Sequence, residues 1–366
     1  MNRGTNEITT PQTIALVGST LVAVGIFTLP RTLAEKVGTP DMWISILMGG
    51  GITIFSAFII ITLSLRFPQK TFFQFNQIII GKWLGTIISL IFIIYVITLA
   101  SFEIRSMSEL TKFHLLEDTP LSVLMISMMW VGTYLLVGGI NPIVRLFEFL
   151  FPITILIFLT IILLGFKVFD LDNIRPVLGL GVIPALKGIT PTLLTNSGVE
   201  FLLVWVAFMK TPAHAKRVIG WGIGIPIVLY LVTIIVVTGA LSVDRIKVET
   251  WPTFTLVQQY EYTGIIFERF ESMFLVVWLI QIFFTYIVCH YIAAIGLSHI
   301  LNVDFKKITY SLLPVIYIIS LIPKSLNQIS DMGTMIGYVS FVFAMIIPAI
   351  LLGISWMAGL KEGEKN

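Results

Sequence analysis

The chain has a single cysteine, Cys289, set inside an apolar run, so no intramolecular disulfide can form and no Cys/His cluster has the spacing of a metal site. Charge is scarce too: 12% of its 366 residues are charged, where a soluble domain has roughly a quarter. The net charge of +3 is scattered, with no basic run and no interleaving of aromatic and basic residues, which excludes nucleic acid as a partner. A Gly-rich phosphate loop, a nucleophile elbow and paired carboxylates in an aqueous setting are all missing, so enzyme chemistry and cofactor binding are not expected. The first ten residues are polar and carry only Arg3 and Glu7, and the apolar run after them ends in Leu29-Pro30-Arg31 without a small-residue cleavage site. No removable signal peptide and no attached soluble domain are expected.

Apolar residues dominate, at 57%. A membrane-spanning helix needs about 20 of them in succession. On that ruler ten spans fall near residues 11–34, 42–65, 83–111, 120–139, 143–167, 186–209, 217–241, 267–297, 308–323 and 332–358. The expectation is an all-α integral membrane protein, a single transporter-like domain over 1–366 with five spans in each of two repeats, about 11–167 and 186–358. Gly138-Gly139-Ile140-Asn141-Pro142 predicts a tight hairpin between the fourth and fifth spans. Lys and Arg number twelve against ten on the two sides, a bias that favours both termini in the cytoplasm. The longer connections, about 168–185 and 242–266, predict short surface helices near Asp170–Pro176 and Val248–Pro252, with Trp251 and Tyr260 as interfacial anchors.

Two interruptions occupy matching places, one opening each set of five. The first is Ala23-Val24-Gly25-Ile26 with Pro30 beyond it; the second is Thr195-Asn196-Ser197-Gly198 followed by Glu200. Backbone that leaves the helix at membrane depth must line a cavity or be covered by protein. A matched pair of breaks therefore points to a small-molecule site near the midplane, in two inverted repeats with broken first and sixth helices. The N-terminus of the second half-helix suits a carboxylate, and the carbonyls ending the first suit an ammonium group. Such an amino-acid site needs no formal charge from the protein. Alternatively, Gly25 only allows close helix packing.

Glu200 reads as either a proton-linked switch or a brace for the unwound segment, and the brace needs only a static role. In the third span Glu103 and Arg105, two apart, cannot meet side by side, whereas Arg105 and Glu109 are spaced to pair on one face. Tyr95 and Leu99 in the third span, and Thr285 and Cys289 in the eighth, form two further pairs at this spacing and are candidates for the pocket wall. His290 reads as a packed residue, and Glu268-Arg269-Phe270-Glu271 as a solvated cap or subunit contact. Only Thr285 sits at a depth suited to a sodium site, and Lys167 lies at the end of its span, so ion-coupled pumping has no support.

At the breaks the chain resembles the amino acid-polyamine-organocation superfamily, with Ala23-Val24-Gly25-Ile26-Phe27 and Pro30 in place of Gly-small-Gly-Ile-Phe and Pro, and Gly198-Val199-Glu200 in place of Gly-aromatic-Glu. Ala23 and Val199 are the departures. Over its whole length it is similar to the B-type subunits of bacterial spore germinant receptors, the spore germination permease family. That likeness is carried by Gly25–Arg31, Ala100–Arg105, Ile174–Gly179 and Glu268–Ser272 with Val276-Val277-Trp278. It implies a subunit of the spore inner membrane that recognises a germinant, commonly an amino acid, together with A-type and C-type subunits. An amino-acid permease and a structural scaffold are the alternatives.

Overall fold

The computed structural model describes residues 7–23, 25–259 and 270–361, and these fold almost entirely as helix. The first span is a bent pair, α1 (Thr10–Leu21) and α2 (Gly25–Val37), meeting at 46°. Then come α3 (Met42–Arg66), a short α4 (Phe72–Ile80), α5 (Lys82–His114), α6 (Leu121–Val137) and α7 (Ile140–Leu164). The sixth span is again bent, by 47°, with α8 (Ile183–Lys187) and α9 (Ile189–Thr195) before the break and 3-10 turns flanking α10 (Leu202–Trp205) after it. The seventh joins α11 (Ala215–Val218) through a π turn to α12 (Gly224–Leu241). Two short helices follow, α13 (Val243–Val248) and α14 (Pro252–Gln258), then α15 (Phe270–Leu301), α16 (Phe305–Ser320), and α17 (Leu326–Phe341), which runs through a π turn into α18 (Ile347–Met357).

Among the described residues six stretches are long and apolar enough to cross a bilayer, the two bent pairs make eight, α6 is a shorter apolar helix, and the sixteen-residue α16 takes the ninth place of the ten. The flanks expose Phe55, Ile94, Phe149 and Leu156. In water such a surface would drive association; around a bundle of this length it meets lipid. The core is the α5–α15 contact, with α1 and α7 packed beside it. Trp278 and Phe27 stack there with ring centroids 3.4 Å apart.

Three features depart from the sequence reading. Residues 72–80 are helical rather than a simple connection: Thr71 and Gln74 form a capping box, and Phe72, Phe73 and Phe75 are buried, packing with Phe92 of α5. Nine residues are too few to span, so α4 tucks against α5. Trp251 is not an interfacial anchor, since it is buried against Phe113 and His114. The helix after it, α14, is likewise buried, because Thr253 Oγ1 donates to the Ile26 carbonyl at 2.8 Å. By contrast the 3-10 turn Leu171–Ile174 lies at the surface as expected. His290 is packed, within hydrogen-bonding distance of Tyr286 and the Thr309 carbonyl. Tyr260, Glu268 and Arg269 lie outside the described residues.

The tenth span meets the sixth at Gly337, where an added Cβ would lie 2.9 Å from the Leu194 backbone nitrogen and 3.2 Å from its Cα. Backbone cannot yield as a side chain can. Gly337→Val is therefore expected to destabilise the bundle by about 1–3 kcal/mol, the usual range for overpacking, read as a lower unfolding midpoint of the detergent-purified chain; Gly353→Val, whose added Cβ meets nothing within 4 Å, is the control.

Candidate functional site

Breaking a helix frees carbonyls on one side and amides on the other, and at membrane depth each needs a partner from the protein. In the first span those partners are side chains of neighbouring helices. Tyr230 of α12 donates to the Leu21 carbonyl at 2.9 Å, Trp278 Nε1 of α15 to the Ala23 carbonyl at 2.9 Å, and Thr253 to that of Ile26. The two backbones approach closely here: a Cβ on Gly25 would overlap the Thr195 methyl and come within 2.5 Å of the Tyr230 hydroxyl.

In the sixth span the chain turns at Gly198, whose φ of +116° is open to glycine and strained for other residues. Both carboxylate oxygens of Glu200 accept from the Gly198 N–H at 3.0 Å. Oε1 also accepts from the Tyr95 hydroxyl of α5 at 2.6 Å, and Oε2 from Ser340 of α17 at 3.2 Å. One fully buried side chain thus joins the sixth span to the third and tenth. Tyr95 is seated by Phe343 from the π turn, stacked at 5.9 Å.

Between the breaks lies a small cavity of about 10 Å³, room for about one water molecule. Thr20, Leu21, Ala23 and Gly25 line it from the first span, Leu194, Thr195 and Ser197 from the sixth, Leu99, Phe102 and Glu103 from the third, and Tyr230 and Thr285 from the seventh and eighth. Above it is a wide vestibule of about 460 Å³, reaching out past Arg31, Ser106, Glu109, Trp251 and Asp331. Phe102, Leu194 and Thr195 border both spaces and separate them. The vestibule occupies the later halves of the first and third spans and the early halves of the sixth and tenth, so it opens on the face opposite both termini. On the terminal face the first and sixth spans are joined: Ile8 pairs with the segment after α10, its N–H donating to Phe208 at 2.8 Å and its carbonyl accepting from Lys210 at 2.9 Å.

Of the residues predicted for the site, Ala23, Gly25, Leu99, Thr195, Ser197 and Thr285 meet at the cavity. Tyr95 is on the same helix but turned to Glu200; Asn196 reaches the other way, its Nδ2 donating to the Gly49 carbonyl of α3 at 3.2 Å; Ile26 and Cys289 are buried in the packing around the cavity. Gly198 faces Thr20 across the break. Val24 lies outside the described residues. Arg105 and Glu109 are paired at 2.7 Å, and Glu103 is buried beside the cavity. Phe102, Leu194 and Tyr230 were not anticipated. The signal for the first was present, since Leu99, Phe102, Glu103 and Ser106 follow the i, i+3, i+4, i+7 spacing of one helix face. Among the described residues no group of acidic, His and Cys side chains is arranged to hold a metal ion.

The arrangement is that of a transporter fold. MhsT, solved in complex with L-phenylalanine, superposes with a TM-score of 0.70 at 10% identity, over 96% of this chain and 99% of that one. Mhp1, a nucleobase-cation-symport-1 family transporter, gives 0.69 at 13% identity over 97% and 79%. Fold and site together define an all-α integral membrane protein of two inverted five-helix repeats, with the architecture of a transporter. Within that class the chain belongs to the spore germination protein family, whose model matches residues 7–329. It is 41% identical to the spore germination protein YndE of Bacillus subtilis (strain 168) over 99% of both chains. Spore germination proteins A2 and B2 of the same organism are 38% and 34% identical, over 94% of both chains and over 98% and 97% respectively. It is thus a membrane germination protein with a transporter-like fold.

Removing the Glu200 carboxylate would leave the Gly198 N–H, the Tyr95 hydroxyl and Ser340 without their acceptor. Glu200→Ala is expected to lower stability by about 3 kcal/mol or more, given about 1–3 kcal/mol for each of the three stranded buried groups. In a double-mutant cycle with Tyr95→Phe, followed by thermal unfolding, the two changes should be coupled by about 1 kcal/mol or more.

Proposed function

We propose that the chain is the germinant-sensing subunit of a spore receptor: a small molecule, most simply an amino acid, binds between the two helix breaks, and the resulting change in the bundle passes to A-type and C-type partner subunits. The spore inner membrane is the setting, with both termini in the cytoplasm and the vestibule facing outward. The single transporter-like domain over 1–366, with repeats near 11–167 and 186–358, would bind at the repeat interface. The reading is carried by the narrow cavity lying where both breaks meet, directly beneath a vestibule that brings solutes to it.

At about 10 Å³ the cavity is too small for an amino acid. Binding therefore requires Phe102 and Leu194 to part and the half-helices to move, and a ligand that fits only the widened arrangement draws the population toward it. Differential affinity is all a ligand can use to switch a protein. Glu200 keeps the sixth span's break in one shape as this happens, which is the role of a brace. A second reading, amino-acid permease, is favoured by the contrast between an open vestibule on one face and the paired backbone of the first and sixth spans on the other, the asymmetry that alternating access requires.

The test uses spores in which this chain is the only subunit of its type, titrated with single amino acids. Ser197→Phe fills the cavity and Gly25→Ala collides with Thr195 and Tyr230. Each should raise the half-maximal germinant concentration by about 10-fold or more, a loss of about 1.4 kcal/mol of binding, at unchanged subunit level by immunoblot. An unaltered dose response at normal level refutes binding at the breaks and leaves the chain a scaffold. Uptake of labelled amino acid by vesicles containing the chain alone would favour the permease.

A further inference from the structure

The cavity wall carries five hydroxyl groups, and each already donates to a backbone carbonyl. Thr20 donates to Leu16 at 2.7 Å, Thr195 to Thr192 at 2.8 Å, Ser197 to Leu193 at 3.3 Å, Tyr230 to Leu21 at 2.9 Å, and Thr285 to Gln281 at 3.2 Å. The break's own carbonyls at Leu21 and Ala23 are already accepting, from Tyr230 and Trp278.

One group on this wall stands apart. Glu103 is 2% exposed, and its Oε2 is buried without a hydrogen-bond partner. The cation nearest in sequence, Arg105, is two positions along, a spacing that turns it to a different face of α5, and its Nη2 is bound to Glu109 at 2.7 Å. Glu103 is therefore a buried acceptor at the ligand space that the protein does not satisfy, and such a group is costly unless something else supplies the donor.

We infer that Glu103 takes the ammonium group of the germinant and sets its chemical class: a small, largely apolar molecule bearing a primary amine. The inference rests on the binding site proposed above and adds to it that this site supplies a formal charge. Leu21, Ala23, Leu99, Phe102 and Leu194 form the apolar part of the wall, and its hydroxyls are already engaged with carbonyls. They favour an aliphatic body with no second charge at its far end. The protein's carboxylate and the ligand's ammonium then desolvate together, so a neutral or purely anionic analogue gains nothing at Glu103 and leaves it unpaired.

The experiment measures binding of L-alanine, L-valine and L-leucine to the full chain in lipid nanodiscs by calorimetry, beside their desamino acids (propionate, 3-methylbutanoate, 4-methylpentanoate). Wild type is compared with Glu103→Gln and Glu103→Asp, and unfolding midpoints verify that each variant is folded. At least one amino acid should bind wild type about 10- to 100-fold more tightly than its desamino partner, as for a hydrogen-bonded charge. Glu103→Gln should remove most of that preference and Glu103→Asp should keep part of it. An amino acid that binds wild type and Glu103→Gln equally overturns the role of Glu103 and leaves the site between the breaks standing. So does a desamino acid that binds wild type as tightly as its parent, a comparison that needs no variant to fold. Failure of every probe to bind wild type overturns both readings.

Discussion

Hydrocarbon offers no hydrogen-bond partner to a peptide group, and the rest of this bundle is arranged around that constraint. Two helices must open at mid-depth for a site to exist between them. Each opening frees groups that the neighbouring helices have to satisfy, and the side chains that do so fix the neighbours in place. Tyr230 and Trp278 hold the first break, and Glu200 with Tyr95 and Ser340 holds the second. The seventh, eighth, third and tenth spans are thereby tied to the breaks by polar contacts in a protein otherwise assembled from apolar surface. Lipid supplies little drive for apolar helices to associate, so these contacts and close approaches such as Gly337 on Leu194 carry much of the specificity of packing.

Three carboxylates of the inner bundle illustrate how a low-dielectric interior sorts charge. Glu200 is saturated by an amide and two hydroxyls, Glu109 is paired with Arg105 at the edge of the vestibule, and Glu103 has no partner at the cavity. The first arrangement suits a fixed structural part and the second a group within reach of water. The third is a group left incomplete, and it sits where a solute would arrive.

Much of this architecture was legible in the residues. Long apolar runs identify spans because hydropathy is nearly the whole requirement for crossing a bilayer; Gly198 marked one break because few other residues tolerate its φ, and Gly25 the other because Thr195 and Tyr230 leave no room for a side chain. Directions within the site were harder. Tyr95 and Leu99 share a face by spacing, yet Tyr95 leans to Glu200 across the bundle while Leu99 reaches the cavity; Asn196, polar and at the break, is drawn away by the buried Gly49 carbonyl of α3. Partners from distant parts of the chain decide such orientations, and spacing along one helix does not reveal them. The short helix α4 escaped for a related reason: it falls between two spans and is too short to be one, and what holds it is Phe92 of α5 packed on its aromatic side chains.

The fastening on the terminal face begins with amides. Ile8 and residues 208–210 are joined by main-chain bonds, and the Ile8 and Met209 side chains are buried in the core beneath them. Proline at 8 or 210 would delete a donor, and a polar side chain at 8 or 209 would be buried without a partner. The end of the sixth span and the start of the first are thus buttoned together, and a displacement of one is mechanically delivered to the other.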